Sequence, residues 1–283
     1  MRRTVSRPEL QKIEFYKMSG SGNDFIIIDN RDLSIDVGDM REFVRHVCRR
    51  KLSVGADGLF FIEPSRIADF KWQFFNSDGS RAEMCGNGSR CVARYAYLRG
   101  ITGGKMSFET TAGIISAEVK DDLVKVKLTD PSSVVCGEKI DVAGRLFVLD
   151  VVNTGVPHAV AFVEDLPSFA VADWGRKIRF HEHFAPQGTN VDFAVVLNRR
   201  KIELRTYERG VEDETLACGT GSVAAALIAA EKNMVASPVN VIVKSGETLR
   251  IHFEKTETGF EQIYLEGKAN VVYEGRLWEE AYS

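Results

Sequence analysis

Along most of the chain, apolar residues come in short runs separated by clusters of Gly, Asn, Asp and Ser. That rhythm predicts many short strands joined by tight turns. Residues 13–17 alternate as a half-buried strand does. Gly20-Ser21-Gly22-Asn23-Asp24 then turns the chain into the apolar run Phe25-Ile26-Ile27-Ile28. Further strands are predicted over 59–62, 70–75, 123–128 and 202–207, and one follows the turn at 186–190. Residues 76–80 read Asn-Ser-Asp-Gly-Ser, a turn cluster that either closes a plain hairpin or carries Asn76 to a site. Helical patterning appears in three places. Over 39–50 it puts Phe43, Val44, Val47 and Cys48 on one face, so Cys48 reads as core. Residues 92–98 form a second helical run. Residues 223–230 form a third, with high helix propensity and no polar face, which predicts a helix buried on all sides and stopped at Asn233.

The second and third helical runs follow the same motif. Cys85-Gly86-Asn87-Gly88-Ser89 and Cys218-Gly219-Thr220-Gly221-Ser222 both read Cys-Gly-x-Gly-Ser, at an offset of 133 residues. The same offset relates Gly22 to Gly155 and Gly113 to Gly246. A constant offset across four glycine pairs and a cysteine pair implies two similar domains, each with a cysteine at the start of a central helix. They are placed at 13–130 and 146–276, behind a basic tail over 1–12 carrying Arg2, Arg3, Arg7 and Lys12.

A cysteine at that position has a chemical consequence. The glycines let the chain turn tightly and leave the first helical N–H groups bare. Those groups and the helix dipole favour an anion, either a thiolate or a ligand carboxylate. The expectation is a thiol pKa lowered into the range of activated thiols, roughly 3.5–7.5.

Bulk properties narrow the class. A chain of 283 residues suits about two domains, and a net charge of −3 gives no electrostatic case for nucleic acid or an anionic membrane. No apolar run approaches the length of a membrane helix, and the start lacks a signal-peptide core, so a cytoplasmic location is expected. Five scattered cysteines fit a reducing compartment. The Gly-x-Gly at Gly20 lacks a third glycine and a following helix, which argues against a nucleotide loop. His181 and His183 read as surface histidines and Cys136 as inert. Cys85 and Cys91 share one helix with no second pair, so no metal site is expected.

Taken together, Gly22-Asn23-Asp24-Phe25, Asn76-x-Asp78-Gly79, the Cys85 motif with Arg90-Cys91, Gly188-x-Asn190-Val191, Tyr207-Glu208-Arg209-Gly210 and Glu214-Thr215-x-Ala217 with the Cys218 motif resemble the diaminopimelate epimerases. The resemblance runs in order from about residue 18 to 246. It implies an α/β (α+β) fold of two similar domains, each a barrel-like β wrap around a central α-helix, with the active site in the cleft between them. It also implies interconversion of LL- and meso-diaminopimelate without pyridoxal phosphate, metal or any other cofactor. Cys85 and Cys218 match the catalytic thiols, and His158 and Glu208 match residues beside them. Asn23, Asn76, Asn190, Glu208 and Arg209 match residues that hold the substrate. Gly86, Asn87, Gly219 and Thr220 match backbone donors to its proximal carboxylate. The pattern departs at Val156, where the family carries Asn before Pro-His. The implied partner is a small-molecule amino acid, with no nucleic acid and no membrane, and a homodimer is left open.

The chemistry fits the resemblance. Inverting a Cα centre removes a proton from one face and adds one to the other, and two thiols, one as thiolate base and one as acid, do this without moving a base around the substrate. Helix N-termini then also offer N–H groups where negative charge grows. Two alternatives stand beside this reading: a related cofactor-independent racemase for proline, hydroxyproline or histidine, and a non-catalytic dithiol binding protein. The spacing lacks the Cys-x-x-Cys form of redox pairs, which weighs against the last.

Overall fold

The computed structural model describes residues 13–35, 37–132 and 134–283. The basic tail expected over 1–12 lies outside the described residues. The chain divides into two compact units. One runs to Asp122 and resumes at Ala269–Ser283, and the other is Leu123–Lys268.

In the first unit the strands are β1 (Ile13–Gly20), β2 (Asn23–Asp29), β3 (Gly58–Glu63), β4 (Phe70–Asn76), β5 (Lys105–Thr110) and β6 (Gly113–Lys120). The helices are α1 (Met40–Val47) and α2 (Gly86–Leu98). Strands β1 and β2 pair antiparallel, β2 and β3 parallel, β3 and β4 antiparallel, β4 and β5 parallel, and β5 and β6 antiparallel. The other edge of β1 is taken by the last strand of the chain, β17 (Asn270–Leu277).

The second unit repeats that plan with β7 (Leu123–Lys127), β8 (Val135–Val142), β9 (Arg145–Asn153), β10 (Pro157–Phe162), α3 (Val171–Arg179), β11 (Asn190–Asn198), β12 (Lys201–Glu208), the two-residue β13 (Asp213–Glu214), α4 (Gly219–Glu231), β14 (Val239–Ile242), β15 (Thr248–Lys255) and β16 (Phe260–Lys268). Here β8 covers the outer edge of β9, as β17 covers β1. The boundaries therefore differ from the 13–130 and 146–276 read from the sequence. Residues 123–142 join the second unit and 269–283 the first, because an edge strand is placed by its ladder partner rather than by its position along the chain.

Helices α2 and α4 start and end at positions separated by the sequence offset. Each is 13 residues long and follows its cysteine directly. Each also ends in the same way. After α2, Gly100 N–H donates to Tyr97 C=O and Ile101 N–H to Ala96 C=O. After α4, Asn233 donates to Ala230 and Met234 to Ala229. Gly100 and Asn233 both take a left-handed backbone, with φ of 64° and 58°, the standard device for satisfying the last carbonyls. From Val223 to Ala230 α4 is buried on every face, as its lack of a polar side predicts. It touches β9, β10, β11, β12, β14, β15 and β16, so the sheet of that unit wraps around it.

Two outer helices complete the layers. Asp39 caps α1, accepting from Arg41 N–H at 2.8 Å. Phe43, Val44, Val47 and Cys48 then enter a core with Ile26, Ile28, Leu59 and Phe61. Its counterpart α3 buries Val171 and Ile178 with Phe193 and Tyr207. The sequence reading missed α3, although Val171, Trp174 and Ile178 have helical spacing. Gly175 in its middle weakens the pattern. The structure explains that glycine, since a Cβ there would lie 2.3 Å from Tyr207 Cβ.

Candidate functional site

Cys85 occupies the cap position of α2 with an extended backbone, φ −146° and ψ 114°. Its Sγ accepts from Gly88 N–H at 3.4 Å, and Ser89 Oγ donates to its carbonyl at 2.8 Å. Cys218 caps α4 in the same way, accepting from Gly221 N–H at 3.4 Å, while Ser222 Oγ donates to its carbonyl at 2.8 Å. The repeated Gly-x-Gly-Ser thus has a shared local purpose. The second glycine brings its N–H to the sulfur, and the serine ties the cap to the first turn.

Around Cys85 the polar groups form one connected line. Arg90 is fully buried and donates to Asn87 Oδ1 at 2.8 Å and to Ser21 Oγ at 2.7 Å. Asn87 donates to Asn23 Oδ1 at 2.8 Å, and Asn23 donates to Asp57 Oδ2 at 3.0 Å. Asp57 pairs with Arg50 at 2.7 Å, and Arg50 also reaches Asp24, which Lys17 meets at 2.7 Å. Burial works to raise the Asp24 carboxyl, but the bonds from Arg50 and Lys17 outweigh it and hold the group at about 2. Both amides of Asn23 and Asn87 are therefore oriented by charged neighbours. Asn76 ends β4 opposite Gly58, exposed, with its amide donating to Ser80 Oγ at 3.0 Å. The turn reading of 76–80 holds.

Around Cys218 the neighbours come from β10, β11 and β12. His158 Nδ1 lies 2.7 Å from Asp192 Oδ2, and both side chains are 0% exposed. His158 Nε2 lies 2.9 Å from Thr220 Oγ1, which lies 3.4 Å from Cys218 Sγ. Thr206 donates to the other Asp192 oxygen at 2.6 Å. Gly221 lets this carboxylate approach the helix, since a Cβ there would sit 2.3 Å from Asp192 Oδ1. Asn190 accepts from Arg209 N–H at 2.8 Å and donates to Pro157 C=O at 3.1 Å. Sequence reasoning brought His158, Thr220, Glu208 and Asn190 here but missed Asp192 and Thr206. The available signal was a charged and a hydroxyl residue on the inward-facing positions of otherwise apolar strands.

The expectation of a lowered Cys218 thiol is overturned. Burial pushes it well above the ordinary 9.0, the charges of Glu208 and Asp192 push the same way, and the Thr220 and Gly221 bonds only partly oppose them. A helix N-terminus offers partial charge, which does not outweigh desolvation plus the charges of Glu208 and Asp192. Burial likewise raises the Glu208 carboxyl, with Thr215 and His158 pulling it back.

Arg209 has no ion pair among the described residues. Of the acids that follow it in the chain, Glu212 pairs with Arg179 at 3.1 Å, and Glu214 pairs with Arg205 at 2.6 Å and Lys244 at 3.0 Å. Near the departure at Val156, Asn153 Oδ1 accepts from Gly155 N–H at 2.9 Å, so that oxygen closes a local turn. Cys48 and Cys91 are buried and Cys136 is exposed. Among the described residues no helix is long and apolar enough to cross a membrane.

Comparison with known proteins adds four findings. The diaminopimelate epimerase family pattern matches residues 15–134 and 151–272, once in each half. The diaminopimelate epimerase of Aquifex aeolicus is 50% identical over 280 residues, covering 95% of this chain and 99% of its own. Among solved structures, a PhzF-family phenazine biosynthesis protein of Bacillus anthracis aligns with a TM-score of 0.73 at 16% identity, over 95% of this chain and 100% of that one. A probable proline racemase of Agrobacterium radiobacter aligns at 0.69 and 16%, over 96% of each. At those identities the structural matches show a shared fold.

Proposed function

The chain belongs to the diaminopimelate epimerase family, and from that premise we propose that Cys85 and Cys218 are the proton carriers of its reaction. The enzyme is an isomerase that interconverts LL- and meso-diaminopimelate, a step in supplying lysine. The observation that carries the residue assignment is the pair of matched helix caps, each presenting a sulfur to a bare N–H at 3.4 Å. One thiolate removes the α-proton while the other thiol donates to the opposite face of the same carbon, and the roles exchange with the stereoisomer bound. The α-carboxylate takes the N–H groups of Gly86, Asn87, Gly219 and Thr220, where negative charge grows during deprotonation. Asn23, Asn76, Asn190 and Glu208 hold the remaining polar groups of the substrate. Arg209, with its fork unengaged, receives the distal carboxylate. Five cysteines scattered through a chain of this size support a cytoplasmic location.

The raised Cys218 thiol fits this scheme as the acid in the resting state. Binding that brings a carboxylate to the helix N-termini and excludes water sharpens the exchange. The test is proton NMR of LL-diaminopimelate in deuterated buffer with reduced enzyme. Loss of the α-proton signal with deuterium in the meso product is expected. Exchange on proline with none on diaminopimelate would move the protein to a sister racemase and make Val156 the first residue to restore to Asn.

A further inference from the structure

Arg179 ends α3 and reaches two segments that carry site residues. Its Nε and Nη2 donate to Glu212 Oε1 at 3.3 and 3.1 Å, and its Nη1 donates to Gln187 C=O at 3.3 Å. The Phe180 ring packs on the guanidinium, with its centroid 4.6 Å away. Gly188 makes room for this side chain. It takes a left-handed backbone, φ 66°, and a Cβ there would overlap the guanidinium. The arginine side chain is only 13% exposed, so its fork is held by protein groups rather than by solvent.

Glu212 folds back on its own turn. Residues 209–212 join β12 to β13. Glu212 N–H donates to Glu208 C=O at 2.8 Å, and its carboxylate accepts from Gly210 N–H at 3.0 Å and from the Tyr207 hydroxyl at 3.4 Å. Burial works to raise this carboxyl, but the Gly210 and Arg179 bonds outweigh it and hold it below its ordinary value. It is therefore an anion at neutral pH. Arg209 stands three residues earlier on the same turn. Its N–H is fixed by Asn190 at 2.8 Å, and its guanidinium forms no ion pair among the described residues. Arg176, one turn earlier on α3, faces the Tyr207 hydroxyl. The turn thus carries an anion and a cation at close spacing, and the anion is satisfied by a cation from another element.

We propose that Arg179 is a positioning residue that reserves Arg209 for a substrate carboxylate, by holding the Glu212 carboxylate that would otherwise pair with Arg209. This rests on the reading of Arg209 as the group that receives the distal carboxylate. The reason is competition. A carboxylate arriving at an arginine fork must displace any anion already on it. With Glu212 engaged by Arg179, the Arg209 fork meets the substrate unoccupied. The same guanidinium ties Gln187, three residues before Asn190, so one side chain steadies both the asparagine that fixes the Arg209 backbone and the acid that competes for its charge.

Steady-state epimerisation of LL-diaminopimelate tests this. Arg179→Gln should raise KM by about tenfold with kcat within about threefold of the parent, the pattern of lost ground-state binding. Adding Glu212→Gln to it should return KM to within about twofold of the parent, because the competing charge is gone. A merely structural clamp gives the opposite result, since the double variant has lost both ends of the pair. If Arg179→Gln fails to fold, Arg179→Lys decides the matter. Its ammonium has no fork to span Glu212 and Gln187, so KM should rise by about fivefold, and Glu212→Gln should again reverse the rise. An unchanged KM in Arg179→Gln, or a rise that Glu212→Gln does not reverse, would overturn the proposal. Arg209→Gln separates the two levels. It should raise KM further than Arg179→Gln does. An unchanged KM there removes the reading of Arg209 and the proposal with it, whereas a raised KM there beside an unchanged one in Arg179→Gln removes only the role of Arg179.

Discussion

The two helix starts share a cap and differ in what stands behind it. In the first unit Phe25 faces Gly58 across β2 and β3, and two residues on, Phe60 faces Phe74. In the second, His158 faces Asn190 across β10 and β11, and two residues on, Asp192 faces Thr206. The ladder positions correspond one to one. Where one unit has a trio of aromatic rings, with Phe60 stacked on Phe74 at 4.3 Å and Phe25 edge-on to Phe60 at 5.4 Å, the other has a hydrogen-bonded His-Asp-Thr trio. Even the glycine reached by each trio is equivalent. A Cβ on Gly88 would meet Phe60 at 2.4 Å, and one on Gly221 would meet Asp192 at 2.3 Å. The same backbone therefore carries buried large rings in one unit and a buried hydrogen-bonded trio in the other, where every polar atom must be partnered.

The largest test of that contrast is loss of either sulfur. Cys85→Ser and Cys218→Ser should each lower net epimerisation by at least about 1000-fold, since each face of the α-carbon has its own carrier. Isotope exchange and optical rotation would register this, and near-normal turnover in either variant would break the two-thiol scheme.

The trios themselves should fail in different currencies. Phe60→Ala is expected to cost about 3–5 kcal/mol in denaturant unfolding, the usual loss for a buried ring. Thr206→Val leaves one Asp192 oxygen without its donor and should cost about 1–3 kcal/mol. Equal costs would mean that the polar trio is as much a packing element as the aromatic one.

The smallest effect is on the pH limits of stability. Asp24, held at about 2 against an ordinary 3.8, contributes stability above its ordinary value that is lost as pH falls toward 2. Cys218 is the opposite case. Raised above 9.0, it favours the folded state below that pH, and the benefit is lost as pH rises past 9 because only the unfolded thiol ionises. Cys48, lifted by burial to about 12, adds to the same alkaline limb. Thermal unfolding across pH should show Asp24→Asn flattening the acid limb alone and Cys218→Ser reducing the slope of the alkaline one. A steeper alkaline limb in Cys218→Ser would contradict the raised thiol.

Much of this molecule is legible in its residues. The Cys-Gly-x-Gly-Ser repeat located both caps, because glycine and serine act within one helical turn of the sulfur. The apolar run over 223–230 marked a helix with no exposed face, and Asn233 its end, because propensity and left-handed backbone are local properties. His158, Thr220, Glu208 and Asn190 were named from the family resemblance and lie around Cys218 or beside its neighbours. What tertiary structure alone decided is non-local. The edge strands β8 and β17 joined the other repeat's first strand, since nothing in a strand's own sequence names its ladder partner. The state of the Cys218 thiol was decided first by the burial of its sulfur, to which Glu208 and Asp192, arriving on β12 and β11, add their charge. A helix N-terminus can be read from the chain, but the field at its mouth is the sum of groups that only folding brings within reach.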